Sequence, residues 1–121
     1  MEIRRLDRDR LGPDNNHSQR LVPWQALNAP FEGAWCVIKP GASSVRHAHH
    51  EYEIFIAVSG TAALESDGER TTFRAGDVVH FPPFTDHQVI NESADEEFEM
   101  YTVWWDSAMT EAFSARHEGE G

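Results

Sequence analysis

Histidine and carboxylate side chains concentrate in the segment spanning residues 41–60. His47 and His49 alternate, and Glu53 follows four residues after His49. A third histidine, His87, lies farther along the chain in a second segment punctuated by glycine and proline. Imidazole nitrogens and carboxylate oxygens suit mid-row divalent metals. Three imidazoles and one carboxylate predict a metal site that keeps positions open for water or substrate, as catalytic sites do.

The spacing of these residues is typical of strands. Side chains alternate between the two faces of a strand, so His47 and His49 point the same way. Glu53 has the same parity, and an intervening bend or register change can still bring it to the same metal. His87 must come from a neighbouring strand. We therefore expect the ligands to converge inside a small barrel.

The rest of the chain is typical of an all-β fold. Short segments rich in β-branched and aromatic residues are separated by Gly, Pro and Asp turns, which indicates a sandwich or barrel. A Ser-Asp-Gly-Glu run at 66–69 predicts a hairpin. The predicted strands are 34–39, 53–58, 61–65, 70–74, 78–81, 87–91 and 98–105.

Three regions are expected along the chain. Residues 1–20 are polar and predict a flexible arm, with a short edge strand near Ile3. Residues 21–106 form the barrel. Residues 107–121 form a short C-terminal helix and tail, with the helix capped by Asp106 and ended by Gly119.

Composition narrows the classes of function. The chain has 121 residues, which suits one domain, and 21 Asp and Glu against 10 Lys and Arg. This acidic balance argues against nucleic acid and anionic membranes as partners. No apolar run reaches the length of a membrane span, and the charged N-terminus does not resemble a secretory signal. Cys36 is the single cysteine, and we expect it to pack as a small buried hydrophobic residue. A single cysteine is consistent with a reducing cytoplasm.

Two motifs in this sequence resemble those of the cupin family. Residues 41–60 fit Gly, five residues, His-x-His, three residues, Glu, six residues, Gly without departure. Residues 76–91 fit the second motif except that Phe84 stands in place of the turn glycine, which tolerates positive φ as phenylalanine does not. The resemblance covers about residues 31–106.

This resemblance implies a cupin jelly-roll β-barrel with a short C-terminal helix, and a homodimer. The implied metal ligands are His47, His49, Glu53 and His87. Cupins include dioxygenases, isomerases, epimerases, lyases and non-enzymatic binders, so fold alone does not assign the reaction.

A narrower similarity is to the zinc cupin domains of bacterial hydrazine synthetases. It rests on residues 49–56 together with residues 34–36 and 101–106. Those domains work with a methionyl-tRNA-synthetase-like domain and join an N-hydroxylated lysine to an amino acid through an N–N bond. The resemblance implies zinc as the metal, a synthetase-like partner and N–N bond formation in small-molecule metabolism. Glu51 and His80 are then candidates for the base that takes the amine proton.

Two other classes of function stay open. A dioxygenase would use the same ligands with iron, nickel, copper or manganese, and an apolar pocket lined by Phe55, Ala57, Val89 and Trp104. A non-catalytic barrel would bind a metal and a ligand without turnover. Trp104 and Trp105 are adjacent in a strand, so we expect one indole inside the barrel and the other on its outer face.

Overall fold

The computed structural model describes residues 1–20, 22 and 27–118, and within them eight strands form two antiparallel sheets. A five-stranded sheet has the order β1-β2-β8-β3-β6, and a three-stranded sheet has the order β5-β4-β7. The all-β prediction is confirmed. The strands are β1 (Ser18–Arg20), β2 (Glu32–Ile38), β3 (Tyr52–Ser59), β4 (Thr61–Ser66), β5 (Glu69–Arg74), β6 (Val78–Phe81), β7 (Gln88–Ile90) and β8 (Phe98–Trp105).

Strand β3 illustrates why the sequence folds in this way. Glu53, Phe55 and Ala57 are buried, while the residues between them are more exposed. This alternation places one face of the strand against the interior. The interior core is apolar and draws on both sheets, with members from β2, β3, β6 and β8 packed with members from β4, β5 and β7. One end of this interior is left for the polar site.

The N-terminal segment is attached to the barrel by hydrogen bonds. The predicted edge strand near Ile3 is wrong: the strand of this segment is β1, where Ser18 pairs with Cys36 and Arg20 pairs with Ala34. Leu11, which precedes β1, is 3% exposed. The sequence does not predict β1, because its three residues are polar and show no alternation of apolar and polar residues. The division into arm and barrel at residue 21, which lies outside the described residues, stays a prediction.

The turns and the terminal helix follow their sequence signals. Asp67 and Gly68 both have positive φ and connect β4 to β5, as a two-residue hairpin turn requires. Helix α1 runs from Ser107 to Arg116, and Asp106 caps it by accepting a hydrogen bond from the Met109 N–H at 2.7 Å. The predicted stop at Gly119 lies outside the described residues. None of the described helices is long and apolar enough to span a membrane.

Candidate metal centre

The four residues predicted as metal ligands meet at one point. Each of His47, His49, Glu53 and His87 offers one ligand atom, and these atoms all lie within 4.8 Å of one another. His47 and His87 come from facing segments that form an isolated antiparallel bridge. The His87 N–H donates to the His47 carbonyl oxygen at 3.1 Å. This bridge holds two ligands side by side while β3 supplies Glu53.

Hydrogen bonds orient the rings of two ligands. His47 Nδ1 lies 3.0 Å from the Val45 carbonyl oxygen, and His87 Nδ1 lies 3.0 Å from the Thr85 carbonyl oxygen. Because a carbonyl can only accept, each Nδ1 carries the proton and donates it. The Nε2 lone pair is then available to a metal, which is the usual second-shell arrangement for ligating histidine.

Glu53 lies at the centre of the cluster. Its Oε1 is 3.0 Å from His49 Nε2 and 3.2 Å from His87 Nε2. The Glu53 side chain is 9% exposed. A buried carboxylate surrounded by imidazole nitrogens requires a compensating positive charge, which a divalent cation would supply.

His87 provides the sharpest test of whether these residues fit a metal. The residue is 1% exposed, and its buried Nε2 forms no hydrogen bond with the described residues. Glu53 Oε1 lies 3.2 Å away, but both atoms are acceptors because the imidazole proton is on Nδ1. Unsatisfied buried polar atoms are rare and costly, so this one calls for a ligand. Coordination to a metal ion satisfies it, and the donor set of imidazole and carboxylate suits such an ion. The residues present therefore fit a divalent metal.

The electrostatics of His47 also favour metal binding. Burial lowers the pKa of His47, and the nearby His87 and His49 act in the same direction, against the hydrogen bond to Val45. The imidazole is consequently neutral near pH 7. A neutral imidazole is the form that binds metals.

The ligands open onto a cavity of about 470 Å³. It lies between the inner face of the five-stranded sheet and the end of the N-terminal segment. Its wall is mixed in character, with apolar, amide, hydroxyl and charged side chains. Besides the four ligands, the lining residues are Asn15, Asn16, Ser18, Arg20, Ala34, Cys36, Ser44, Glu51, Phe55, Met100, Thr102 and Trp104.

The candidate pocket residues fall in two places. Phe55 and Trp104 line the cavity, and the Phe55 ring lies edge-on to His87 at 5.3 Å between centroids. Val89 is 0% exposed within the apolar core, where it pairs with Leu64. Ala57 is likewise a member of that core. The structure brings only the first two to the metal ligands.

The two candidate bases are also separated. Glu51 lines the cavity, and its Oε1 lies 3.4 Å from His49 Nδ1. His80 is exposed on β6, where its ring stacks on Tyr52 at 6.0 Å between centroids and lies tilted against Trp105 at 6.2 Å. His80 has the opposite parity to the buried Phe81, so it faces away from the cavity.

Trp104 and Trp105 lie on opposite faces of β8, as expected. Trp104 lines the cavity, whereas Trp105 stacks on Tyr52 at 5.9 Å with an angle of 7° between the rings. Tyr52 is 41% exposed, so this pair belongs to the outer face of the sheet. Neither indole is fully exposed.

Several cavity residues escaped the sequence analysis. Asn15, Asn16, Ser18 and Arg20 belong to the N-terminal segment, and no motif marks them. Thr102 and Met100 have the same parity as Trp104 on β8, so the alternation of that strand was a usable signal.

Cys36 lines the same cavity but offers no thiolate. It is 2% exposed, and burial raises the pKa of the thiol to about 11. The residue therefore stays protonated at neutral pH and packs as a small apolar group, which agrees with the prediction from the sequence.

Phe84 adopts the conformation expected of the glycine it replaces. Its φ is 61°, and its N–H donates to the His49 carbonyl oxygen at 2.7 Å. Phenylalanine is strained in this left-handed region, so the surroundings must impose it. Because the bond to His49 anchors a ligand segment, the turn keeps its shape despite the substitution.

A small β-barrel with three histidines and one glutamate facing an internal cavity defines a class of metal-binding proteins. The cupin domain family matches this chain over residues 34–104, and the chain belongs to that family. The jelly-roll prediction is thereby confirmed.

Solved structures support the same assignment over almost the whole chain. A Cupin 2 conserved barrel domain protein from Salinispora arenicola is 58% identical, with a TM-score of 0.87 over 97% of this chain and 98% of that one. The plu4264 protein from Photorhabdus luminescens is 40% identical, with a TM-score of 0.85 over 96% and 97% of the two chains.

A curated relative matches over a shorter region. Gentisate 1,2 dioxygenase 1 from Aquipseudomonas alcaligenes is 40% identical over 58 residues, which are 47% of this chain and 17% of the dioxygenase. The match therefore spans less than a fifth of that enzyme.

Proposed function

We propose that this protein is a mononuclear metal-dependent enzyme of small-molecule metabolism. The observation that carries the proposal is the unpartnered, buried Nε2 of His87 beside Glu53, at the wall of a cavity of about 470 Å³. A structural metal would be enclosed by its ligands, whereas these ligands are reached from the cavity. A cavity of this size accommodates a small organic substrate.

The residues of the chain divide the work. His47, His49, Glu53 and His87 would hold the metal, which when bound would polarise and align a substrate group. Phe55 and Trp104 would exclude water from one side of the cavity. Glu51 would accept a proton from the substrate, since its carboxylate lines the same cavity.

The first reaction class is N–N bond formation with zinc. Three segments resemble the hydrazine synthetase cupins, and they belong to or adjoin β2, β8 and β3, which are neighbours in one sheet. The resemblance thus covers one continuous wall of the cavity. In this reaction an amine attacks the nitrogen of a carboxylate-activated hydroxylamine, the N–O bond breaks, and the carboxylate leaves with the electron pair. The amine proton goes to Glu51.

Partners follow from the same proposal. N–N chemistry requires an activated hydroxylamine, so a methionyl-tRNA-synthetase-like domain or protein would supply it. A homodimer is proposed because Tyr52, Val58 and Val78 leave apolar surface on the outer face of the five-stranded sheet, with exposures of 41, 45 and 63%.

The second reaction class is oxygen-dependent cleavage with a redox metal. The partial match to gentisate 1,2 dioxygenase 1 favours it, because 58 residues of this chain are 40% identical to that enzyme. Iron, nickel, copper or manganese would then occupy the same ligands, since imidazole and carboxylate accept all of them.

Metal content separates these alternatives. We would measure it by elemental mass spectrometry on the native protein, with His47→Ala as the matched control. Zinc near one per chain that is lost in His47→Ala favours the N–N reaction, and a redox metal favours the dioxygenase. Absence of metal from the native protein, together with failure to bind added metal, would contradict the proposal and leave a non-catalytic binding barrel.

A further inference from the structure

Arg20 is the one arginine or lysine among the described residues that line the cavity. It lies at the end of β1, opposite Ala34 of β2. Arg20 Nη1 donates to Glu32 Oε1 at 2.9 Å, and the guanidinium carbon lies 5.4 Å from the centroid of the Trp104 ring. These two contacts fix the guanidinium over an aromatic face that also lines the cavity.

The sheet register places Arg20 relative to the metal ligands. Trp104 pairs with Glu32 on one side and with Glu53 on the other. Glu32, which holds Arg20, is thus two strand spacings from the ligand Glu53, or roughly 10 Å. The indole of Trp104 lies between them. A ligand of a few atoms in length can therefore touch the metal at one end and Arg20 at the other.

The charges of the chain and of Arg20 indicate that such a ligand would be an anion. The chain has a formal net charge of −11, and Glu51 adds a carboxylate to the cavity wall, so an anion needs a specific attraction to enter. Arginine has five N–H donors in a planar fork, more than the single bond to Glu32 uses. Its side chain is 65% exposed, so a molecule entering from solvent can reach these donors.

We propose that Arg20 binds the carboxylate of a small organic acid whose other end reaches the metal ligands across the face of Trp104. This inference deepens the proposed function and rests on it for the second contact. A carboxylate fits better than a phosphate, because Arg20 already pairs with Glu32 and a phosphate dianion would bring a second negative charge into a cavity that Glu51 also lines.

The test compares acids with their uncharged amides. Isothermal titration of the metal-loaded protein would use 3-hydroxybenzoate against 3-hydroxybenzamide, and 5-aminopentanoate against 5-aminopentanamide. We expect at least one acid to bind more tightly than its amide. Arg20→Gln should weaken binding of that acid by about ten- to a hundredfold, as expected for loss of charge-assisted hydrogen bonds, and change amide binding less than threefold.

Two variants and a competitor complete the design. Arg20→Lys should retain part of the preference, because it keeps the charge and loses the fork. Arg8→Gln is the matched control, since Arg8 pairs with Glu97 and Glu99 outside the cavity. The proposal is overturned if neither acid is preferred over its amide, if Arg20→Gln weakens both equally, or if Arg8→Gln has the same effect. Tighter Arg20-dependent binding of phenyl phosphate would also overturn it in favour of phosphate esters.

The proposed metal enzyme and the proposed carboxylate binding by Arg20 can be refuted independently. A preference for the acid that depends on Arg20, in a protein that binds no metal, would support carboxylate binding by Arg20 and refute the metal enzyme. If wild type and Arg20→Gln both bind metal and neither prefers acids, carboxylate binding by Arg20 alone is refuted. Equal thermal midpoints for the two proteins would show that Arg20→Gln is folded.

Discussion

His87 is a proposed metal ligand and is also packed in the core. Comparing His87→Ala with His47→Ala separates these two roles. Its ring stacks on Phe81 at 4.5 Å between centroids and meets Phe55 edge-on at 5.3 Å, with 1% of the residue exposed. His47, the ligand across the bridge, is only partly buried. His47→Ala therefore removes a ligand with much less packing.

The packing loss can be estimated without metal. Truncating a buried aromatic ring to alanine costs about 3 kcal/mol for a ring of this size. Losing the hydrogen bond to Thr85 adds about 1 kcal/mol, while removing the unpartnered Nε2 recovers about 1–2 kcal/mol. The metal-free His87→Ala protein should thus be about 2–3 kcal/mol less stable than metal-free wild type, and His47→Ala about 1 kcal/mol less stable.

The assay is urea unfolding with a chelator present, followed by the same measurement with metal at saturation. In the chelator, His87→Ala should have a clearly lower midpoint than His47→Ala, although both should unfold cooperatively. With metal at about a hundred times its dissociation constant, wild type should gain about 2.7 kcal/mol and both variants much less. Equal midpoints of the two variants in the chelator would refute the packing argument. A variant that gains as much as wild type from metal would refute its assignment as a ligand.

Four further outcomes are expected. Phe84→Gly should raise the free energy of unfolding by about 0.5–1 kcal/mol, because relief of the left-handed strain exceeds the entropy cost of glycine; Phe84 is 75% exposed and loses little packing, so a lower urea midpoint would contradict this. Burial lowers the pKa of His17, so the folded protein favours the neutral imidazole and the free energy of unfolding should fall as the pH drops below about 6.5. His17→Asn should reduce the difference in stability between pH 7.5 and pH 5.5, and an unchanged difference would exclude His17 as its source. Glu51→Gln should weaken metal binding about tenfold in chelator competition, because Glu51 Oε1 lies 3.4 Å from His49 Nδ1, and it should also lower turnover, because Glu51 is the proposed base. Unchanged metal affinity would contradict the first role, and unchanged turnover would contradict the second. Val78→Glu should convert a dimer to a monomer in sedimentation equilibrium, and a monomeric wild type would contradict the proposed homodimer.

The candidate metal ligands were predictable because their signal is local. His47, His49 and Glu53 lie within seven residues of one another, so one short segment that ends in β3 carries all three. The position of His87 was harder to predict from the sequence, because it depends on the bridge to His47, a contact between distant segments. Only the recurrence of a second glycine- and proline-bounded motif identified it. The strands were predictable for the same local reason, since alternation and turns occur within a few residues.

The outer edge of the site was not predictable from local patterns. Strand β1 is three polar residues long, and its pairing with β2 is fixed by long-range packing, including the burial of Leu11. Nothing in the residues Ser18 to Arg20 signals that they face a cavity. His80, which the sequence offered as a candidate base, lies on the outer face of β6, away from the cavity.

In the proposed function, recognition and reaction depend on different parts of the chain. The candidate metal ligands belong to the two motifs, whereas Arg20 reaches the cavity only because β1 extends the sheet beyond β2. A change in the N-terminal segment could remove the guanidinium from the cavity while every ligand of the metal stayed in place. Substrate choice in a barrel of this kind can consequently change without loss of the metal. The edge strand β1 carries Arg20, whereas the inner strand β3 carries Glu53 and Phe55, which packs against His87.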